Sequence, residues 1–262
     1  MRKLVVLTTL LVGLTVLVPG VFPGVKPGLT AEKTYKMSDS LELHVWISRA
    51  MTKDPAPLLV LLPMRARDHR SYDSLRASVM NRVVGFSKDK IAWPYIAAFD
   101  LRGHGRSKER GEAEVDVRDM PDEEYLKMPS DVATALKAIL ADSSYRIDSS
   151  SILVAGASIG ANTAIMLTEH FPGIKKVALL SPGQDYHSLK PDSALAAFEG
   201  DILIMSSIED RYSHASSRIL AAQNEKRCRL EEFYGNKHGT DIINSYPEAM
   251  EMLVDWLFGK AD

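Results

Sequence analysis

The sequence predicts one α/β domain: a mostly parallel central sheet flanked by helices, with little or no cap. Three observations carry that expectation. Short apolar runs alternate with amphipathic segments along the chain, which is the pattern of βαβ units. The run Pro57 to Pro63 is apolar throughout, as a strand covered on both faces must be. Of 262 residues, 45% are hydrophobic and 25% charged, an ordinary globular balance at a length that buries a sizeable core.

The first element is not part of that domain. Arg2 and Lys3 precede an uncharged run from Leu4 to Val25. A basic start before an apolar run is the layout of an export signal, with Leu4 to Val18 as its hydrophobic region. The run to Val25 would just span a bilayer as a helix, but Pro19, Gly20, Pro23 and Gly24 interrupt it. Residues 1–30 are therefore read as a signal peptide or N-terminal membrane anchor. The expected location is periplasmic or extracellular, or tethered to the membrane. Residues 31–262 form the domain.

Within the domain, Leu41–Ser48 alternates like a strand and Pro57–Pro63 follows as a buried one. Ser71–Gly85 reads as a helix ending at a glycine. Strand Tyr95–Asp100, helix Asp131–Asp142, strand Ser151–Gly156 and helix Ala161–Phe171 come next. Lys176–Pro182, Asp201–Ser207 and Cys228–Tyr234 read as further strands, and Ser213–Asn224 and Tyr246–Gly259 as helices. The net charge is −2, and no basic stripe with interleaved aromatics points to nucleic acid. Cys228 is the sole cysteine, so no intrachain disulfide forms, and it reads as a structural thiol.

In parallel sheets, ligands sit beyond the carboxyl ends of the strands. Four such positions stand out. "VAGASIGA" matches G-x-S-x-G between a predicted strand and a predicted helix, the context that a nucleophilic serine requires. Gly156 and Gly160 permit the sharp turn, Ser158 projects its hydroxyl, and the Ile159 N–H points at a developing oxyanion from the helix start. A dinucleotide-binding turn is the rival reading, with Tyr186 and Lys190 as its Tyr-x-x-x-Lys. It fails because the motif follows several strands and Ser158 takes the place of the second glycine. "SSIEDRYS" offers Glu209 or Asp210 to orient a histidine, and "YGNKHGTDI" offers His238 in a glycine-flanked loop. "FDLRGHGRS" reads as a tight loop in which Asp100 and Arg102 form a fixing ion pair. His104 stands before the serine in the chain, which argues for a structural role.

These motifs, "FDLRGHGRS", "GASIGA", "IEDRYS" and "KHGT" in that order, make the chain resemble the α/β-hydrolase superfamily over everything after the leader. It is most similar to the small, capless serine carboxylesterases and to dienelactone-hydrolase-like members. The resemblance implies Ser158 as nucleophile, Asp210 rather than Glu209 as acid, and His238 as base. It implies cleavage of a small-molecule ester by acyl transfer, with no cofactor or metal. A peptidase, amidase or acyltransferase would use the same triad, and a non-catalytic binding protein would share the fold. One departure is notable: Pro63 and Met64 stand where the family has His-Gly. Pro63 has no N–H, so the second oxyanion donor falls to Met64 or Arg65, with Arg65 the choice, in a loop that also carries Arg67, Asp68, His69 and Arg70. That loop reads as solvated surface, with an anion-tolerant substrate rim as the functional alternative. The short stretch Gly183 to Gly200 leaves room for one helix and no lid.

Overall fold

The computed structural model describes residues 30–50, 54–85 and 94–259. The expected leader lies outside the described residues, apart from Thr30, which begins the first strand. Strand β1 (Thr30–Lys36) pairs antiparallel with β2 (Glu42–Ser48). Next come β3 (Ala56–Leu62), a 3-10 turn at His69–Tyr72, and α1 (Asp73–Gly85). Strand β4 (Tyr95–Phe99) leads to a hairpin of two-residue strands, β5 (Glu109–Arg110) and β6 (Ala113–Glu114). Helices α2 (Asp122–Tyr125) and α3 (Met128–Ala141) precede β7 (Ile147–Ala157) and α4 (Ile159–Leu167). Then follow β8 (Ile174–Leu180), α5 (Asp192–Ala197), β9 (Asp201–Ser207) and α6 (Arg211–Gln223). Strand β10 (Cys228–Phe233), α7 (Thr240–Ser245) and α8 (Pro247–Phe258) close the chain.

Eight strands form one sheet in the order β1-β2-β4-β3-β7-β8-β9-β10. From β4 to β10 every neighbouring pair is parallel; β1 and β2 add an antiparallel edge. The apolar run of β3 explains its central place. Leu58, Val60 and Leu62 face a core shared with α3, α4 and α6. Leu59 and Leu61 face a second core with α1, α7 and α8. Side chains alternate across a strand, so a strand that buries both faces must be apolar at every position. Each fully buried Leu or Ile contributes about 1.5–3 kcal/mol, which is why the sheet's centre is its most firmly held part.

The loop after β4 departs from expectation. Asp100 does not pair with Arg102. Its carboxylate accepts from the backbone N–H of His69 and of Arg106, both at 2.8 Å, and from His69 Nδ1 at 2.9 Å. Arg102, 1% exposed, reaches Asp39, Glu124 and Asp131 instead, each at 2.7 Å. The two side chains leave the tight turn in different directions. A Cβ at Gly105 would lie 1.9 Å from Asp100 Oδ2, so the turn closes directly over the carboxylate.

Candidate active site

Between β7 and α4 the chain reverses within one residue. Ser158 has φ 53° and ψ −118°, a conformation that costs a non-glycine residue about 1–3 kcal/mol. Its neighbours make the turn possible. A Cβ on Gly156 would sit 2.0 Å from the Gly160 carbonyl oxygen, and one on Gly160 would sit 2.3 Å from that of Leu62. The Ser158 N–H donates to the Leu180 carbonyl at 2.8 Å, and its own carbonyl accepts from Ala161 at 2.8 Å. The serine is thus fixed to the ends of two strands and to the helix. The first N–H groups of α4, beginning at Ile159, have no intrahelical acceptor and carry the positive end of the helix dipole.

Asp210 follows β9 at the head of α6, and His238 follows β10. Their side chains meet: His238 Nδ1 lies 2.6 Å from Asp210 Oδ2. Burial acts to raise the Asp210 pKa, but the His238 hydrogen bond and charge, with the Ser213 and Ser181 hydroxyls, outweigh it and hold the carboxyl below its usual range. Glu209 is exposed, and its backbone N–H is turned to the Gly235 carbonyl. The structure therefore brings Asp210 and His238 together and leaves Glu209 outside. Among the described residues, no hydrogen bond joins Ser158 Oγ to the His238 imidazole. His104 is 1% exposed, its Nδ1 lies 2.8 Å from the Arg102 carbonyl, and burial lowers its pKa to about 4. Among the described residues no acid forms an ion pair or hydrogen bond with it, in keeping with a structural role.

Arg65 lies in a turn just beyond β3, closed by the Arg67 N–H to the Met64 carbonyl at 3.1 Å. Its side chain turns to Tyr125 Oη and the Val117 carbonyl, each at 3.0 Å. Met64 stands where a glycine was expected and is 7% exposed. Its sulfur would lie 2.6 Å from a Cβ on Gly239, which has φ 57°. The loop bearing Arg65 therefore packs directly on the loop bearing His238. Most of its charge is satisfied locally: Arg70 pairs with Asp68, and His69 bonds Asp100 while stacking on Trp46 at 3.5 Å.

Three more side chains complete the site, none singled out for this role from sequence. Ser181, buried at φ 54°, accepts the Gly239 N–H at 2.9 Å. Ser213 Oγ is 3.3 Å from His238 Nδ1. Tyr186 Oη is 2.9 Å from Ser213 Oγ, and its ring meets the His238 ring edge-on at 6.4 Å. Burial pushes the Tyr186 phenol up to about 12, with the Ser213 and Ser158 hydroxyls working against that rise. Ser213 had a legible signal: it stands three residues after Asp210 in a helix, so both share a face.

A family model described as alpha/beta hydrolase fold matches residues 113–240. No curated protein matches the sequence. Solved structures do match in fold. An esterase from Pyrococcus furiosus superposes with a TM-score of 0.65 at 13% identity, over 87% of this chain and 89% of that one. An esterase from Exiguobacterium antarcticum gives 0.61 at 13%, over 87% and 99%. The acylaminoacyl peptidase of Pyrococcus horikoshii gives 0.66 at 15%, over 90% of this chain and 43% of that one. The sheet order, the strained serine between β7 and α4, the family model matched over residues 113–240 and these neighbours show that the chain has the α/β-hydrolase fold.

Proposed function

We propose that this protein is a serine hydrolase that cleaves small-molecule carboxylic esters through Ser158, His238 and Asp210. One observation carries the reading: a serine held at φ 53° shares the carboxyl edge of the sheet with a histidine bonded at 2.6 Å to a carboxylate. Esterases among the fold's neighbours support the ester as the bond cleaved.

In this mechanism His238 takes the Ser158 proton as the hydroxyl attacks the ester carbonyl. Asp210 fixes the imidazole tautomer with the proton on Nδ1 and stabilises the imidazolium that forms. The Ile159 and Arg65 backbone N–H groups receive the oxyanion; losing one such donor costs about 100-fold or more in rate. His238 then protonates the leaving alcohol, and water, activated by the same imidazole, releases the acid from Ser158. Export, expected from residues 1–30, would place this reaction outside the cytoplasm; intact mass of the protein from its native host tests whether the leader is removed.

The test needs no guess about substrate. The full chain is treated with a fluorophosphonate probe and the labelled peptide is mapped by mass spectrometry. Labelling is expected on Ser158 and is expected to vanish in Ser158→Ala and His238→Ala. Well-folded protein that stays unlabelled, or carries the label elsewhere, would rule the assignment out. Parallel aryl ester and aryl amide substrates then separate esterase from peptidase.

A further inference from the structure

The mechanism above leaves Tyr186 and Ser213 unused, yet both stand against its acid and base. Ser213 is 1% exposed, so no bulk water replaces a lost partner there. His238 Nδ1 lies 2.6 Å from Asp210 Oδ2 but 3.3 Å from Ser213 Oγ. The Nδ1 proton therefore belongs to the carboxylate. The protonated ring nitrogen then offers Ser213 no acceptor, and the Ser213 O–H is left to the Asp210 carboxylate three residues before it, which it helps to hold below the usual range. The Ser213 oxygen is then an acceptor for the Tyr186 O–H at 2.9 Å. The resulting order is Tyr186 O–H to Ser213 O–H to Asp210, and in such a chain each bond polarises the next. Tyr186 keeps its proton across the working pH range, so it is a permanent donor.

We propose that Tyr186 is a positioning residue that acts through Ser213 to orient the Asp210–His238 pair and temper the charge on the Asp210 carboxylate. The proposal rests on the triad reading above. It adds a regulator of that pair reached from the β8–α5 connection. The titratable groups around the relay are Asp210, His238, Tyr186 itself and Tyr212, whose ring meets that of Tyr186 at 5.5 Å. Removing the Tyr186 hydroxyl weakens the Ser213 donation. The Asp210 carboxylate then carries more charge toward the imidazole and favours its protonated form, so a higher pH is needed to free the base.

The connection bearing Tyr186 has other anchors. Asp185 exchanges hydrogen bonds with Tyr212 Oη at 3.0 and 2.8 Å, and the buried Asn162 amide donates to the Gly183 and Leu189 carbonyls. Tyr186→Phe therefore removes one hydroxyl and leaves the loop in place, whereas Tyr212→Phe loosens the loop and leaves the relay intact.

The experiment measures pH profiles of p-nitrophenyl butyrate hydrolysis by the full chain, wild type and variants, alongside fluorophosphonate labelling. Tyr186→Phe and Ser213→Ala are each expected to lower kcat by about 3- to 10-fold, the worth of one hydrogen bond, with KM little changed. Each should move the acid limb of kcat/KM up by about half a pH unit. The double variant should be no worse than the weaker single one, because both break the same chain. Tyr212→Phe should keep the wild-type profile. Additive losses, an unmoved acid limb, a rise in KM instead of a fall in kcat, or the same effect from Tyr212→Phe would overturn the relay while Ser158 labelling leaves the triad standing. Absence of labelling in the wild type would overturn both.

Discussion

His104 shows how a single buried side chain ties stability to pH. It sits in the loop after β4, fully enclosed, and burial lowers its pKa from 6.5 to about 4. Between those values the unfolded chain takes up a proton that the folded chain refuses, so stability falls as pH drops from about 6.5 to about 4 and levels off below. The contribution at stake is about 3 kcal/mol. Urea unfolding across that window should show His104→Asn, whose amide retains a donor for the Arg102 carbonyl, losing less stability than wild type; parallel curves would refute the linkage. At Gly160 the effect is steric. A Cβ there would press on the carbonyl oxygens of Leu62 at 2.3 Å and Pro63 at 2.5 Å, and backbone cannot swing away as a flexible side chain does. Gly160→Ala is expected to lose about 3 kcal/mol or more, read as a drop in Tm. The glycines and the serine were legible because their constraint is local. Tyr186 was not: its partners Ser213 and Ser158 are 27 and 28 positions away, and only the closed sheet brings them together.

The elements most legible in the sequence are those whose composition has a single physical solution. Strands β3, β4, β8 and β9 are nearly continuous apolar runs because both their faces are buried. Strand β1, "TAEKTYK", has no buried residue along its length, so its polar sequence gives no core signal; it is held by pairing with β2. The hairpin of β5 and β6 and the four-residue α2 are too short for any periodicity to register. Arg102 illustrates the same limit for side chains. From sequence its obvious partner was Asp100, two residues away, but its actual partners come from the β1–β2 turn, α2 and α3. Of these, Asp131 is the most buried, and desolvation raises its pKa despite the arginine beside it. Arg102→Met would leave that carboxylate uncompensated and should cost about 3–5 kcal/mol. Arg102→Lys, which keeps the charge but not the fork, should fall between Met and wild type in the same denaturation series. Equal stability of all three would mean that the cluster contributes nothing net.

For the whole molecule, the connection between β8 and β9 runs beside the candidate site, where Tyr186 meets Ser213 and His238. Its brevity was legible by counting residues, and the structure confines its helical content to α5, six residues long. What counting could not reveal is how firmly that connection is fastened. Asn162 holds both ends of its first turn through Gly183 and Leu189. His187 stacks on Tyr125 at 4.0 Å, with Asp122 bonding both His187 and Ser188. Tyr212 fastens Asp185. A lid that opens at an oil–water interface must break its contacts for less than the gain in apolar burial, and a segment with this many buried or stacked anchors would lose several hydrogen bonds at once. Hydrolysis of tributyrin should therefore rise smoothly with concentration and saturate, with no jump where the ester passes its solubility limit. A sharp increase at that point would mean that the β8–β9 connection moves as a lid, and that the anchors through Asn162 and Tyr212 release together.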